Sequence, residues 1–176
     1  VVTTELNIEG NPIDSFVELV CEVVPAQVTL VPDAPDAITS NAGWDTIKNE
    51  AFLRDIVTLF KQKGIRTSIF VNADTKMVEN AAKCACDRVE LYTESYATMY
   101  QQDRQKAIVP FMLAAKVAEE VGLELNAGHD LNLQNLAFFN ANIPNLKEVS
   151  IGHALICDAL YMGLEKTIGE YKKCLS

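Results

Sequence analysis

Long apolar runs are missing from this sequence. No stretch approaches the roughly 18 residues that a membrane-spanning helix needs, so a membrane partner is not expected. A signal-peptide pattern is missing too, because Val1-Val2-Thr3-Thr4 leads straight into strand-like sequence. Positive charge is in deficit: 15 Lys and Arg face 24 Asp and Glu, for a formal net charge of −9. Phosphodiester backbones require clustered cations, so the charge disfavours nucleic acid as a partner. Small phosphates stay open, since local backbone N–H groups can hold them. Cysteines at metal or redox spacing are lacking. Cys21, Cys84, Cys86, Cys157 and Cys174 form an odd, scattered set, and Cys84-x-Cys86 is too short for C-x-x-C. Such a set points to reduced thiols and a cytoplasmic setting, with Cys84 and Cys86 acting as small apolar groups near a helix end. Linkers and low-complexity tracts are absent, so residues 1–176 read as one domain.

What is present is regular alternation. Hydrophobic residues make up 49% of the chain, which fits a globular fold. Runs rich in Val, Ile, Leu and Thr at 3–8, 27–31, 66–71, 88–92, 123–127 and 148–151 suit buried parallel strands. Helical periodicity fills the intervals. Phe16, Val20 and Val23 share one face behind an Asn11 cap and Pro12 at the first helical position. Phe52 to Phe60 form a second stripe ended by Gly64, and Met77 to Ala82 a short third with Asp74 as its cap. Ala107 to Val121 form a fourth, ended by Gly122, in which Pro110 must occupy the first turn or kink the helix. A short fifth helix covers 131–140, and Leu155 to Tyr171 form a sixth.

Six successive βα units imply an α/β protein with an all-parallel sheet. This pattern leaves a doubly wound sheet and a barrel both open. The count favours an incomplete barrel, because a (βα)8 TIM-type barrel usually needs about 200 residues or more. The start without an initiator Met fits a chain whose first units are missing.

In either architecture, sites form where strands end at their C-terminal edge. The first such end carries Glu9, a carboxylate that the barrel mouth could tune toward general-base use or that a cation could pair. The loop after the second strand carries Thr39 and Ser40, suited to capping a helix or to contacting a ligand. Glu90 lies within the fourth strand and reads first as a structural ion-pair partner. The fifth and sixth ends, Ala127-Gly128-His129-Asp130 and Ile151-Gly152-His153, hold the only two histidines of the chain. A glycine admits close backbone approach, and a following helix start offers free N–H groups to an anion. Two such turns on neighbouring strands make a phosphate site with an acid–base imidazole. His129 is the better proton-transfer candidate, whereas His153 opens a helix and offers chiefly its N–H.

Leu6-Asn7-Ile8-Glu9, Val28-Thr29-Leu30-Val31-Pro32, Val89-Glu90-Leu91-Tyr92-Thr93, Asn126-Ala127-Gly128-His129-Asp130-Leu131 and Ser150-Ile151-Gly152-His153-Ala154-Leu155 together resemble the pyridoxine 5′-phosphate synthase family. The likeness runs along essentially the whole chain, and the last two blocks are its most specific parts. It implies a (βα)8 barrel of which this chain is the C-terminal three quarters, with the first two units missing. It implies condensation of 3-amino-2-oxopropyl phosphate with 1-deoxy-D-xylulose 5-phosphate to give pyridoxine 5′-phosphate, phosphate and water. No metal and no organic cofactor are implied, and family members are cytoplasmic homo-octamers.

By position, Glu9 matches the family's general base and His129 its proton donor. Thr39 matches a residue that binds deoxyxylulose phosphate. Asp130, Gly152 and His153 match positions that hold the amino-oxopropyl phosphate. Two departures stand out. The family's first two units supply a further histidine base and phosphate ligands, so this chain alone is expected to have little activity. Cys84-Ala85-Cys86-Asp87 replaces a glycine-containing turn, which is expected to change its shape slightly. Two other readings compete: another barrel enzyme acting on phosphosugars, such as an epimerase or aldolase, and a fragment that only binds phosphate. No strand end carries the Lys that a Schiff-base aldolase needs.

Overall fold

The computed structural model describes residues 2–33 and 42–176. Six strands form one sheet in the order of the chain, every neighbouring pair parallel. They are β1 Asn7–Gly10, β2 Gln27–Leu30, β3 Arg66–Asn72, β4 Arg88–Tyr92, β5 Glu124–Gly128 and β6 Leu146–Ser150. The crossovers carry α1 Asp14–Val23, α2 Glu50–Gln62, α3 Thr75–Lys83, α4 Glu94–Glu120 and α5 Leu136–Asn142, and α6 His153–Met162 and α7 Leu164–Lys173 follow β6. A doubly wound sheet reverses its strand order at a switch point. This one never reverses, so right-handed crossovers keep every helix on one side and the sheet curls. The curl is visible in contacts. Gln27 on β2 donates to Glu148 on β6 at 3.0 Å, and Ser150 on β6 donates to Glu9 on β1 at 3.1 Å. The architecture is a parallel half-barrel open between β1 and β6.

Strand periodicity separates two environments. Val28, Leu30, Ile69, Val71, Val89, Leu91, Leu125 and Ala127 join the outer core against the helices, with Leu53, Val57, Phe60, Phe111 and Phe139. The alternate residues face the concave side. That side is polar, unlike the layers of branched apolar residues that usually fill such barrels. Its floor is an ion network: Arg88 bonds Glu148 and Glu124 at 2.7 Å each and Gln27 at 3.1 Å, and Arg66 pairs with Glu5. Gln27, Arg88 and Glu148 come from alternate strands, as barrel layers do. Among the described residues no helix is long and apolar enough to cross a membrane.

Local choices differ from the sequence pattern in several places. β1 begins later than residue 3 and takes Glu9 into the strand. α1 starts at Asp14 with Ile13 at its cap, because the Asn11 amide is used elsewhere, donating to the Asp33 carbonyl at 2.7 Å. α5 starts only at Leu136, since Asn132 and Asn135 build a side-chain-bonded turn before it: Asn132 N–H donates to Asn135 Oδ1 at 2.8 Å. α4 begins well before Ala107 and breaks at Asp103 (φ −156°, ψ 90°), whose carboxylate accepts from Lys106 N–H at 3.0 Å and caps the second segment. Pro110 therefore sits neither in a first turn nor at the break. The last helix divides at Gly163, which adopts φ 82°. The Asp74 cap is as expected, accepting from Lys76 and Met77 N–H. Cys84 and Cys86 are buried beside the end of α3, and burial pushes their thiols up to about 11 and about 12.

Candidate active site

The C-terminal ends of β1, β4, β5 and β6 enclose a cavity of about 460 Å³. Glu9, Glu90, His129, Asp130, Ser150, Gly152 and His153 all line it. Five of the six residues singled out from the sequence thus meet in one place. The sixth, Thr39, lies outside the described residues.

The turn after β5 is strained and clamped. His129 and Asp130 adopt φ 78° and 56°, left-handed values that non-glycine residues rarely take. Three consecutive carbonyls hold the turn there. Thr93, which is fully buried, donates its N–H to Gly128 O at 2.9 Å and its hydroxyl to Gly128 O at 2.7 Å. The same hydroxyl also contacts His129 O. Asn135 donates to Asp130 O at 3.1 Å. The imidazole of His129 rests against Phe70 and Tyr92, each with ring centroids 5.2 Å away. Because α5 starts late, this turn does not run into a helix N-terminus, contrary to the sequence reading. The turn after β6 does: Gly152 caps α6 and His153 is its first residue, with no side chain occupying the cap. Gly152, His153 and Ala154 line the cavity, and the free N–H groups of a helix start suit an anion.

Two glutamates share the cavity with Asp130. Glu9 is exposed at the open seam and accepts from Asn7 Nδ2 and Ser150 Oγ, both at 3.1 Å. Neither Lys nor Arg pairs with it among the described residues. Glu90 is 1% exposed. Burial first, then the charge of Glu9, pushes its pKa well above the ordinary carboxylate range. The ion-pair role read for Glu90 is not what forms, because Arg88 spends its donors on Glu124 and Glu148. Instead Glu90 Oε2 has no hydrogen-bond partner among the described residues, as is also true of Asn126 Oδ1 beside it. Gly128 makes room for this carboxyl: a Cβ there would lie 2.1 Å from Glu90 Oε1.

The family model described as "Pyridoxal phosphate biosynthesis protein PdxJ" matches residues 1–176. The chain belongs to the PdxJ family. Among curated relatives named pyridoxine 5′-phosphate synthase, that of Parabacteroides distasonis is 63% identical over 175 residues, covering 99% of this chain and 74% of its own length. That of Phocaeicola vulgatus is 63% identical over 174 residues, covering 99% and 73%. That of Flavobacterium johnsoniae is 55% identical over 175 residues, covering 99% and 74%.

In this PdxJ-family chain the turn at Cys84-Ala85-Cys86 holds a non-glycine residue in the left-handed region. Ala85 adopts φ 63°, the conformation a glycine takes freely. Sequence reasoning missed three contributors to the site. Ser150 was only the residue before Ile151-Gly152-His153, although its place inside β6 already aimed it at the concave face. Thr93 and Phe70 gave no local signal, because their roles lie in contacts with β5.

Proposed function

We propose that this chain is a pyridoxine 5′-phosphate synthase of vitamin B6 biosynthesis, joining 3-amino-2-oxopropyl phosphate to 1-deoxy-D-xylulose 5-phosphate with release of phosphate and water. One observation carries the reading. A carboxylate without a cation, Glu9, and an imidazole, His129, face one cavity that also receives the uncapped start of α6. The condensation is mostly a series of proton transfers on phosphorylated substrates, and this set of groups suits it.

In this reading Glu9 is the general base, and His129 donates the proton to departing oxygen. The Asp130 position, Gly152 and His153 hold the phosphate of the amino-oxopropyl substrate, largely through main-chain N–H groups. Thr39 contacts the deoxyxylulose phosphate. Residues 1–176 act as a single domain. Two further βα units complete a (βα)8 barrel across the seam between β1 and β6. The unpaired outer edges of those strands and the greater length of the relatives support that completion. The assembled form is a cytoplasmic homo-octamer, which light scattering of the purified protein tests.

The activity test uses the purified protein, together with whatever segment its gene places before Val1. Both phosphates are supplied and pyridoxine 5′-phosphate is measured. Glu9→Gln should cut kcat by about a hundredfold or more while moving KM little. Absence of product from the unsubstituted protein would overturn the reading. Product from the 176-residue chain alone, above a His129→Ala control, would show that the six units suffice.

A further inference from the structure

We propose that Asn135 is a positioning residue: it holds the Asp130 carbonyl so that the Leu131 N–H is turned toward an anion bound in the cavity. The assignment of that anion to the amino-oxopropyl substrate rests on the synthase reading above; the positioning does not.

A trans peptide is planar, with its C=O and N–H pointing in opposite directions. No peptide bond is cis among the described residues. Fixing a carbonyl therefore fixes the direction of the next residue's N–H. Thr93 holds the carbonyls of Gly128 and His129, which sets the N–H groups of His129 and Asp130. Asn135 Nδ2 holds the carbonyl of Asp130 at 3.1 Å, which sets the N–H of Leu131. None of these three N–H groups has an acceptor among the described residues. Thr93 follows β4, and β4 and β6 flank β5 on opposite sides. N–H groups turned away from Thr93 thus face β6, where Gly152, His153 and Ala154 line the same cavity. Consecutive main-chain N–H groups aimed one way form an anion-binding concavity.

Asn135 is itself held at every polar group. It is 3% exposed. Its Oδ1 accepts from Asn132 N–H at 2.8 Å, its own N–H donates to Asn132 O at 3.2 Å, and its carbonyl accepts from the buried Tyr96 hydroxyl at 2.7 Å. The bond at Oδ1 orients the amide and leaves Nδ2 for Asp130. Asn132 Nδ2 reaches the same carbonyl only at 3.4 Å, so Asn135 supplies the firmer hold. Without it the peptide between Asp130 and Leu131 can rotate, and a rotated peptide presents its oxygen to the anion in place of the N–H. Thr93 caps α4 and Tyr96 lies in its first turn. One helix start therefore sets all three carbonyls, two directly and the third through Asn135.

The test uses the purified protein, with whatever segment its gene places before Val1, and inorganic phosphate as the probe. In isotope-labelled protein, phosphate should shift the amide resonances of Asp130 and Leu131. Asn135→Leu keeps a similar volume and removes the donor. It should abolish the Leu131 shift and raise the phosphate Kd about tenfold or more by calorimetry. Tyr96→Phe should weaken binding by less, and should add nothing in the Asn135→Leu background. In turnover, Asn135→Leu should raise KM for 3-amino-2-oxopropyl phosphate about tenfold, while kcat and KM for deoxyxylulose phosphate stay within about threefold. If Asn135→Leu does not fold, Asn135→Ser, which keeps an acceptor for Asn132 and lacks the amide donor, carries the same expectations. A Leu131 amide unmoved by phosphate, or a variant that binds phosphate as tightly as the parent, overturns the proposal. An equal rise in both KM values marks a general loosening and overturns it too. Absence of turnover in every protein, with the phosphate effects intact, would count against the synthase reading and leave the positioning established.

Discussion

The Thr93 hydroxyl, on the residue after β4, is bound to the main-chain carbonyl of His129, on the residue after β5. This contact holds a histidine in a left-handed conformation, at φ 78°, that the residue would not choose. Local strain of this kind costs about 1–3 kcal/mol and persists only where surroundings over-determine it.

Thr93→Val should therefore do more than remove a hydrogen bond. The expected loss of stability is about 1–2 kcal/mol by chemical denaturation, together with a change in the His129 ring resonances as the turn relaxes. Thr93→Ser should recover most of both. Ring resonances unmoved in Thr93→Val would show that Thr93 does not set the histidine's position.

Gly128→Ala places a Cβ at 2.1 Å from Glu90 Oε1. The carboxyl end is buried between β5 and β6 and has little room to retreat. Overpacking of this type costs about 1–3 kcal/mol. Turnover should fall as well, since the displaced group is Glu90. A thermal unfolding curve and a kcat measurement check the two effects separately.

Glu90→Gln should stabilise the fold in a pH-dependent way. The folded-state pKa of Glu90 lies above its unfolded value, through burial and then the charge of Glu9. Its contribution is fully present below the unfolded value, near pH 4.5, and is lost as pH rises through the folded value. The variant lacks that loss. Its advantage over the parent should be small near pH 4 and grow as pH rises through the folded-state value. An advantage that shrinks with rising pH would contradict a neutral buried Glu90.

Ala85→Gly should add about 0.5–1 kcal/mol, because Ala85 sits at φ 63° and only glycine takes that region without penalty. The site is remote from the cavity, so kcat should not change. Equilibrium unfolding in urea provides the measurement.

The sequence alone determined whatever depends on neighbours along the chain. Alternation of apolar runs placed all six strands to within a few residues, and glycines marked the ends of α2 and α4. Gly128-His129 and Gly152-His153 were legible as site turns because strand ends converge in any parallel α/β fold. Tertiary structure alone decided what depends on curvature. A six-unit repeat leaves an open sheet and a barrel both possible, with the count leaning to a barrel, and the unreversed strand order settles on a curled half-barrel. That curl brings Ser150 to Glu9 across 141 positions of sequence and puts Glu90 next to Gly128 rather than next to an arginine. A glutamate inside a strand looks the same in sequence whether a guanidinium or a cavity faces it. The difference lies in where Arg88 directs its donors, toward Glu124 and Glu148, and periodicity along one strand carries no record of that choice.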